Sequence, residues 1–220
     1  MSERTHPAAP HDAPDYLRDG DEIYRRSFGL IRSETDLSGI PDDLHAVAVR
    51  MIHACGMVDL IDDLAFRDDV GEAARRALIG GAPVLTDAMM VAHGGTRARR
   101  PADTAVRCML GDPDIAAQAR RDGTTRSAAA VDRWVPHLDG AVVAIGNAPT
   151  ALFRLLELLE EGAPRPAAIL GLPVGFVGAA ESKLALARGG HDVPWLTVHG
   201  RRGGSAMAAA AVNALASTRE

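Results

Sequence analysis

Hydrophobic residues recur at the spacing of an amphipathic helix in the first part of the chain. One such stretch begins at Asp21, and a second opens near Pro41, a residue suited to a first helical turn. We therefore predict two N-terminal helices, with Ser27 on the inward face of the first. The apolar positions of the two stretches are Ile23, Tyr24, Phe28 and Ile31, followed by Leu44, Val47, Ala48, Met51 and Cys55.

Beyond Gly80, short apolar runs alternate with helical patterns. The runs lack polar alternation, which is typical of parallel strands that helices cover on both faces. We predict an α/β fold: a single domain with a mostly parallel sheet flanked by helices, preceded by the N-terminal helical pair. The polar stretch 96–133 is expected to be an addition within this domain. The predicted strands are 83–87, 141–146, 167–171 and 194–199, and the helices after them are 88–93, 151–161, 179–188 and 205–216.

In an open parallel sheet, ligands bind beyond the carboxyl ends of the strands, where loops and helix N-termini gather. This rule predicts a pocket at one edge of the sheet. The loops that would form it are 86–87, 147–150, 171–180 and 200–205.

Composition narrows the class of protein. The 220 residues, 47% of them hydrophobic, suffice for one domain, predicted over 15–220, and the aperiodic residues 1–14 are predicted to be a disordered leader. The net charge of −5 argues against a nucleic-acid binder. No apolar run approaches the roughly 18 residues that span a bilayer, and the N-terminus lacks the apolar core of a secretory signal, so we expect a cytoplasmic protein without a membrane partner.

Several common kinds of site are not indicated. Cys55 and Cys108 lie far apart and form no Cys-x-x-Cys pair, so neither a disulfide scaffold nor a metal site is predicted. The glycines of 171–178 have neither the spacing of a dinucleotide fingerprint nor that of a phosphate-binding P-loop. Gly-x-Ser-x-Gly and His-Glu-x-x-His motifs are also missing, which argues against hydrolases and metalloproteases.

Arg50 and His53 are the most informative polar pair. They stand three residues apart on one face of the second helix, beside Ala46 and Val49. This face is too apolar to be plainly solvated, so the pair should face a pocket or an interface. An imidazole is a natural general acid near neutral pH, which makes His53 the candidate catalytic residue. The alternative is a histidine with an ordinary structural role.

Basic residues at loop ends are candidates for binding anions. Arg201 and Arg202 lie between a strand and a helix, where free N–H groups favour negative charge, although a solvated turn would look the same. Arg126 lies in a cluster of hydroxyl residues that is more typical of a structural turn. Lys183, the one lysine of the chain, lies just after the glycine-rich stretch.

Five motifs together resemble the precorrin-8X methylmutase family, over about 16–215. They are 23–28, 50–56, 148–152, 171–183 (GLPVGFVGAAESK) and 203–207. The resemblance implies an isomerase of cobalamin biosynthesis that moves a methyl group from C-11 to C-12 of a corrinoid to give hydrogenobyrinate. It also implies a homodimer that needs no cofactor. His53 matches the catalytic histidine of the family, and Ser27 and Arg50 match its substrate-binding positions.

A corrinoid that carries many carboxylates would also account for the basic residues at the loop ends, Arg126, Lys183, Arg201 and Arg202, as further binding groups. Because the macrocycle is broad and flat, a second subunit is expected to help enclose it. The alanine-rich helix 205–216 could form that contact or cover its own sheet. The alternatives are a cobalt-precorrin-8 methylmutase, a non-catalytic corrinoid carrier and a glycine-rich anion-binding module.

Overall fold

The computed structural model describes residues 15–67, 69–95 and 104–217. The predicted leader, 1–14, lies outside the described residues, as does the beginning of the polar stretch 96–133. Six strands of the described chain form one sheet. They are β1 (Leu64–Phe66), β2 (Val84–Thr86), β3 (Val106–Arg107), β4 (Val142–Ile145), β5 (Ala168–Gly171) and β6 (Trp195–Val198).

The strands lie in the order β1-β6-β5-β4-β2-β3, and every pairing except that of β1 with β6 is parallel. The predicted α/β fold with a mostly parallel sheet is therefore confirmed, and β2, β4, β5 and β6 are the four predicted strands. The two edge strands were not predicted. They span only three and two residues, too few to show a hydrophobic pattern.

Helices cover both faces of the sheet. On one face lie α1 (Gly20–Glu34), α2 (Asp42–Cys55), α3 (Val70–Ile79), α4 (Met89–Gly94) and α9 (Ser205–Ala216), whose buried side chains share one hydrophobic cluster. On the other face lie α5 (Ile115–Arg121), α6 (Arg126–Asp132), α7 (Pro149–Glu160) and α8 (Ala179–Arg188), which share a second cluster. Helix α9 packs against α2, α3 and α4, so it is a central element of the first layer.

The N-terminal helical pair is present, but a strand and a further helix, β1 and α3, separate it from the first predicted strand. The apolar stripe expected on α1 is only partly buried. Phe28 and Ile31 are buried, whereas Ile23 and Tyr24 are 43% and 47% exposed. Helix α1 packs mainly on α2, and this one neighbour cannot cover the whole stripe.

The chain changes direction across the sheet between β2 and β4. Strand β2 leads into α4 on one face, and its neighbour β4 leads into α7 on the other face. Such a switch point leaves a crevice beyond the strand ends.

Within the described residues, no helix has the length and apolar character to cross a membrane.

Candidate active site

His53 lies in the last turn of α2, where the local sequence fixes the helix end. Gly56 adopts a left-handed conformation, with φ of +71°, and its N–H donates to the carbonyl of Ile52. Glycine accepts this conformation without steric cost, so the helix ends directly after His53. The imidazole is therefore presented at a helix end rather than buried within the layer.

Helix α1 brings Ser27 to this imidazole. The Oγ atom of Ser27 lies 2.8 Å from Nδ1 of His53, a hydrogen bond between residues 26 positions apart. The contact joins two residues that the sequence placed on separate helices. Because Nδ1 is engaged by Ser27, Nε2 is the ring nitrogen that is available for a further hydrogen bond.

Two aromatic rings of α1 flank the imidazole. The Tyr24 ring centroid lies 5.3 Å from that of His53 with the planes tilted by 37°, and Phe28 lies at 5.2 Å, nearly perpendicular. Tyr24, Ser27 and Phe28 occupy positions i, i+3 and i+4, which share one helical face. We expected Tyr24 and Phe28 only in the core, although their spacing around Ser27 was a signal that they accompany it.

Arg50 lies one turn before His53 and is held against Phe28. The side chain is largely buried, with 8% of the residue exposed, and its Cζ atom lies 5.2 Å from the Phe28 ring centroid. A guanidinium over an aromatic face is stabilised by the ring quadrupole. The structure thus places Ser27, Arg50 and His53 in one cluster between α1 and α2.

This cluster borders a pocket of about 290 Å³ among the helices of the first layer. Small side chains of α9 leave its space open. Across it, Nδ2 of Asn213 donates to the carbonyl of Gly94 over 3.0 Å. A Cβ at Gly94 would lie 2.6 Å from that of Ala209, so glycine permits the close approach of α4 and α9. The lining residues are Tyr24, Arg50, His53, Ala54, Gly94, Ala206, Ala209, Ala210 and Asn213.

The location of this pocket differs from the expectation based on strand ends. Its walls are α1, α2, α4 and α9, and only Ala206 adjoins one of the four predicted loops. The reason is that the N-terminal helices pack over the helices of the sheet and carry His53 with them. Asn213, which no sequence motif singled out, joins the site through the same packing.

The two arginines of the glycine-rich loop have different surroundings. Arg202 pairs with Asp59, at 2.8 Å, and with Asp63, both on a short 3-10 helix (Val58–Asp63) that follows α2. Arg201 lies over the exposed ring of Phe176, at 5.1 Å from its centroid. No carboxylate among the described residues pairs with Arg201.

Lys183 is fully buried in α8, and its ammonium group is engaged by the same loop. Nζ donates to the carbonyl of Gly200 at 3.1 Å and to that of Arg202. Burial lowers the pKa of Lys183 to about 8, against the opposing effect of Asp63. This arrangement supports a role in holding the loop, and contact between Lys183 and a substrate stays a prediction.

Arg126 is exposed at the start of α6 and is not among the residues that line the pocket of His53. The preceding residue, Thr125, caps the helix: its Oγ1 accepts the N–H of Ala128 at 3.1 Å and lies 2.8 Å from Oγ1 of Thr150. The hydroxyl cluster therefore has the structural role that the sequence favoured, and substrate binding by Arg126 stays a prediction.

A buried carboxylate organises the switch point of the sheet. Asp87, directly after β2, accepts the N–H groups of Gly146, Asn147 and Ala148 at 2.7 to 2.9 Å. Burial raises the pKa of Asp87, and the three N–H groups act in the opposite direction. Asp87 thus fixes the loop that leads from β4 into α7.

In residues 15–67, 69–95 and 104–217, no group of three or more His, Cys, Asp or Glu could hold a metal ion.

Comparison with known proteins gives consistent matches over nearly the whole chain. The family model for precorrin-8X methylmutase (CbiC) matches residues 22–218. A precorrin-8X methylmutase of Pseudomonas aeruginosa is 62% identical, covering 94% of this chain and 99% of that protein. The chain belongs to the precorrin-8X methylmutase family. Its members are isomerases, and the chain is accordingly an enzyme of this class.

Two further methylmutases are less similar to this chain. A cobalt-precorrin-8 methylmutase of Priestia megaterium is 36% identical, covering 88% of this chain and 86% of that protein. The crystal structure of a precorrin-8X methylmutase from Thermus thermophilus superposes with a TM-score of 0.81 at 39% identity, covering 89% of this chain and 94% of that one. The family membership inferred from the five motifs is thus confirmed, and the matched segment includes every predicted site residue.

The lowered pKa of Lys183 predicts how the stability of this methylmutase depends on pH. Below about pH 8, the amine of Lys183 is charged in the folded and in the unfolded chain, and in the folded chain this charge is buried. Above pH 10.5, the ordinary pKa of lysine, the amine is neutral in both states. The burial cost is therefore present below pH 8 and relieved as the pH rises to 10.5. Relative to Lys183→Met, we expect the unfolding free energy of the wild type to rise by roughly 3 kcal/mol over this range. Urea unfolding of both proteins measures it, and a constant difference would contradict it.

Proposed function

We propose that this chain converts precorrin-8X to hydrogenobyrinate by moving a methyl group from C-11 to C-12, with His53 as the general acid. The observation that carries the proposal is the pair of Ser27 and His53 at a pocket that also contains Arg50. Identity of 62% to a precorrin-8X methylmutase, against 36% to a cobalt-precorrin-8 methylmutase, favours the metal-free ring as the substrate.

The hydrogen bond of Ser27 defines how the imidazole would work. In the protonated ring, Nδ1–H donates to Oγ of Ser27, and Nε2–H would be the donor offered to a substrate in the pocket that His53 lines. Transfer of the Nε2 proton to the macrocycle, near the migrating methyl group, would draw electron density toward the site that receives it. Substrate and product are isomers, so the proton is not consumed overall and the imidazole regains it.

The rest of the catalytic task is to hold the substrate. The migrating group and its destination belong to one molecule, so no second reactant has to be captured, and a positioned acid with a fixed macrocycle suffices. Arg50 supplies positive charge at the rim of the same pocket, one turn from His53. A charge-assisted hydrogen bond to a corrinoid carboxylate would orient the ring against Nε2.

The loop arginines would contribute unequally to substrate binding. Arg201 has no carboxylate partner among the described residues, whereas Arg202 is neutralised by Asp59 and Asp63.

We expect Arg201→Ala to raise the dissociation constant of the corrinoid product about tenfold or more, as loss of a charged hydrogen bond of about 1.5 to 3 kcal/mol implies. Fluorescence or absorbance titration measures this. The matched control is Arg121→Ala on the opposite layer, and an unchanged constant for Arg201→Ala would leave the loop as a solvated turn.

A homodimer is the second part of the proposal. Helix α9 packs against α2, α3 and α4 of its own chain, which leaves little of its surface for a partner. The loop at 174–177 exposes large apolar side chains instead: Phe176 is 83% exposed and Val177 88%. Exposed apolar side chains grouped in this way are typical of interaction surfaces. A second copy of the chain is the occupant we propose.

Sedimentation of the purified protein tests the dimer. We expect a species of twice the chain mass of 23.1 kDa, and Val177→Asp should shift it toward the monomer because a buried charge opposes association. Ile79→Asp, at another exposed apolar position, should leave the mass unchanged. A fully active monomer of 23.1 kDa would contradict a shared enclosure of the substrate.

The proposed reaction itself is tested by absorbance, because the conjugation of the macrocycle changes when the methyl group moves. When purified protein is incubated with precorrin-8X, the absorbance spectrum of precorrin-8X should change to that of hydrogenobyrinate. Binding without this change would identify a corrinoid carrier. A faster reaction with cobalt-precorrin-8 would assign the metallated substrate instead.

A further inference from the structure

The imidazole of His53 is held at one atom by hydrogen bonding and along its faces by rings. The bond from Ser27 fixes the position of Nδ1. A single hydrogen bond leaves the ring plane free to tilt, and rotation of a histidine ring about χ2 has only a broad, shallow preference. The orientation of Nε2 therefore depends on the side chains that flank the ring.

Phe28 and Tyr24 flank it in different ways. Phe28 meets the imidazole at 87°, 5.2 Å between centroids, and is itself buried beneath Arg50. Tyr24 lies at 37° and 5.3 Å, and it meets Phe28 edge-on at 5.8 Å. Phe28 thus closes the inner side of the imidazole, and Tyr24 restrains it from the side of the pocket.

We propose that Tyr24 is a positioning residue for His53, which keeps the imidazole plane in the orientation that directs Nε2 into the pocket. The proposal rests on the proposed role of His53 as the general acid. Tyr24 is 47% exposed, so its ring contributes little to the hydrophobic core. Its ring packs against the imidazole and against Phe28.

Proton transfer makes the reaction sensitive to this restraint. The donor nitrogen must reach hydrogen-bond distance of the accepting atom with good alignment, and a displacement of about 1 Å can reduce a rate by two orders of magnitude. An aromatic contact of this kind restricts the tilt without fixing it rigidly. Loss of the Tyr24 ring should therefore lower kcat by roughly tenfold, since other orientations of the imidazole become populated.

Tyr24 also lines the pocket, so its hydroxyl group could instead bind the substrate. The two roles predict different variants to fail. A positioning ring needs its aromatic plane, which phenylalanine retains. A substrate-binding hydroxyl is lost in phenylalanine and leucine alike, and its loss raises KM.

The experiment compares Tyr24→Leu, Tyr24→Phe and the control Ile23→Ala, a neighbour on α1 that is exposed to a similar degree and does not line the pocket. We expect kcat to fall roughly tenfold with KM nearly unchanged in Tyr24→Leu. In Tyr24→Phe and Ile23→Ala, kcat and KM should both remain within about twofold of the wild type. This is a smaller change than the loss of one aromatic contact would cause.

Nuclear magnetic resonance provides a readout that does not require turnover. The His53 ring protons, assigned by their loss in His53→Ala, lie beside the Tyr24 ring and experience its ring current. Their chemical shifts should move in Tyr24→Leu and stay in place in Tyr24→Phe and Ile23→Ala. Unmoved shifts in Tyr24→Leu would contradict the contact.

The kinetic outcomes that overturn the proposal are an unchanged kcat in Tyr24→Leu, an equal loss in Tyr24→Phe, or a loss confined to KM. None of these touches the role of His53, which the turnover of His53→Ala decides separately. If His53→Ala remained active, the proposed acid would be wrong, and the resonances would report only the packing of the two rings.

Discussion

Replacing His53 by asparagine should lower kcat by about 10²- to 10⁴-fold, the usual contribution of a positioned general acid. Asparagine can keep a polar atom near the position of Nδ1 and preserve a hydrogen bond to Ser27, but it cannot transfer a proton. The variant therefore separates acid catalysis from the structural link between α1 and α2. Because the pocket keeps its shape, binding of the corrinoid product should change little.

Steady-state absorbance measurements with precorrin-8X give kcat, and titration with the product gives its dissociation constant. The matched control is His45→Asn on the same helix, where Nε2 of the imidazole hydrogen-bonds to the carbonyl of Ile40 and lies near Asp42, away from the pocket of His53. We expect that variant to turn over like the wild type. A folded His53→Asn protein with near wild-type kcat would show that another group supplies the proton.

The central sheet could be predicted because its strands are uninterrupted apolar runs. Strands β4 and β5 are buried along their whole length, as parallel strands between two helical layers must be, and such runs stand out in the sequence. The same reasoning could not predict β3, because its two residues at the sheet edge are too few to show a hydrophobic pattern. It also overestimated the burial of α1, since a periodic stripe does not reveal how many neighbours cover a helix.

The site was predicted less completely because its contacts are long-range. Spacing placed Arg50 and His53 on one face of α2, and the family resemblance implied that Ser27 binds substrate, but the hydrogen bond between Ser27 and His53, 26 residues apart, was not predicted. The aspartates that neutralise Arg202 stand 143 and 139 positions before it, so a local pattern could not distinguish it from Arg201. Lys183 stood out as the one lysine, yet only the fold shows that its amine is engaged by backbone carbonyls.

Asp87 should be the carboxylate whose loss destabilises the protein most clearly. Its two oxygens accept three backbone N–H groups of the loop between β4 and α7, in a part of the structure where Asp87 and Gly146 are buried. An alanine in its place leaves these donors without an acceptor, and each unsatisfied buried donor costs about 1 to 3 kcal/mol. We therefore expect Asp87→Ala to lower the free energy of unfolding by about 3 kcal/mol or more.

Urea unfolding followed by circular dichroism measures this change, and a drop in Tm of roughly 6 to 12 °C should accompany it in a chain of this size. Asp69→Ala is the matched control: Asp69 precedes α3, but its side chain makes no capping hydrogen bond, so its replacement should cost less than about 0.5 kcal/mol. Asp87→Asn should recover little of the loss, because its amide group places two N–H donors against backbone donors. If Asp87→Ala were as stable as Asp69→Ala, water or a rearranged loop would have to satisfy the three N–H groups, and the carboxylate would not be what holds the switch point of the sheet.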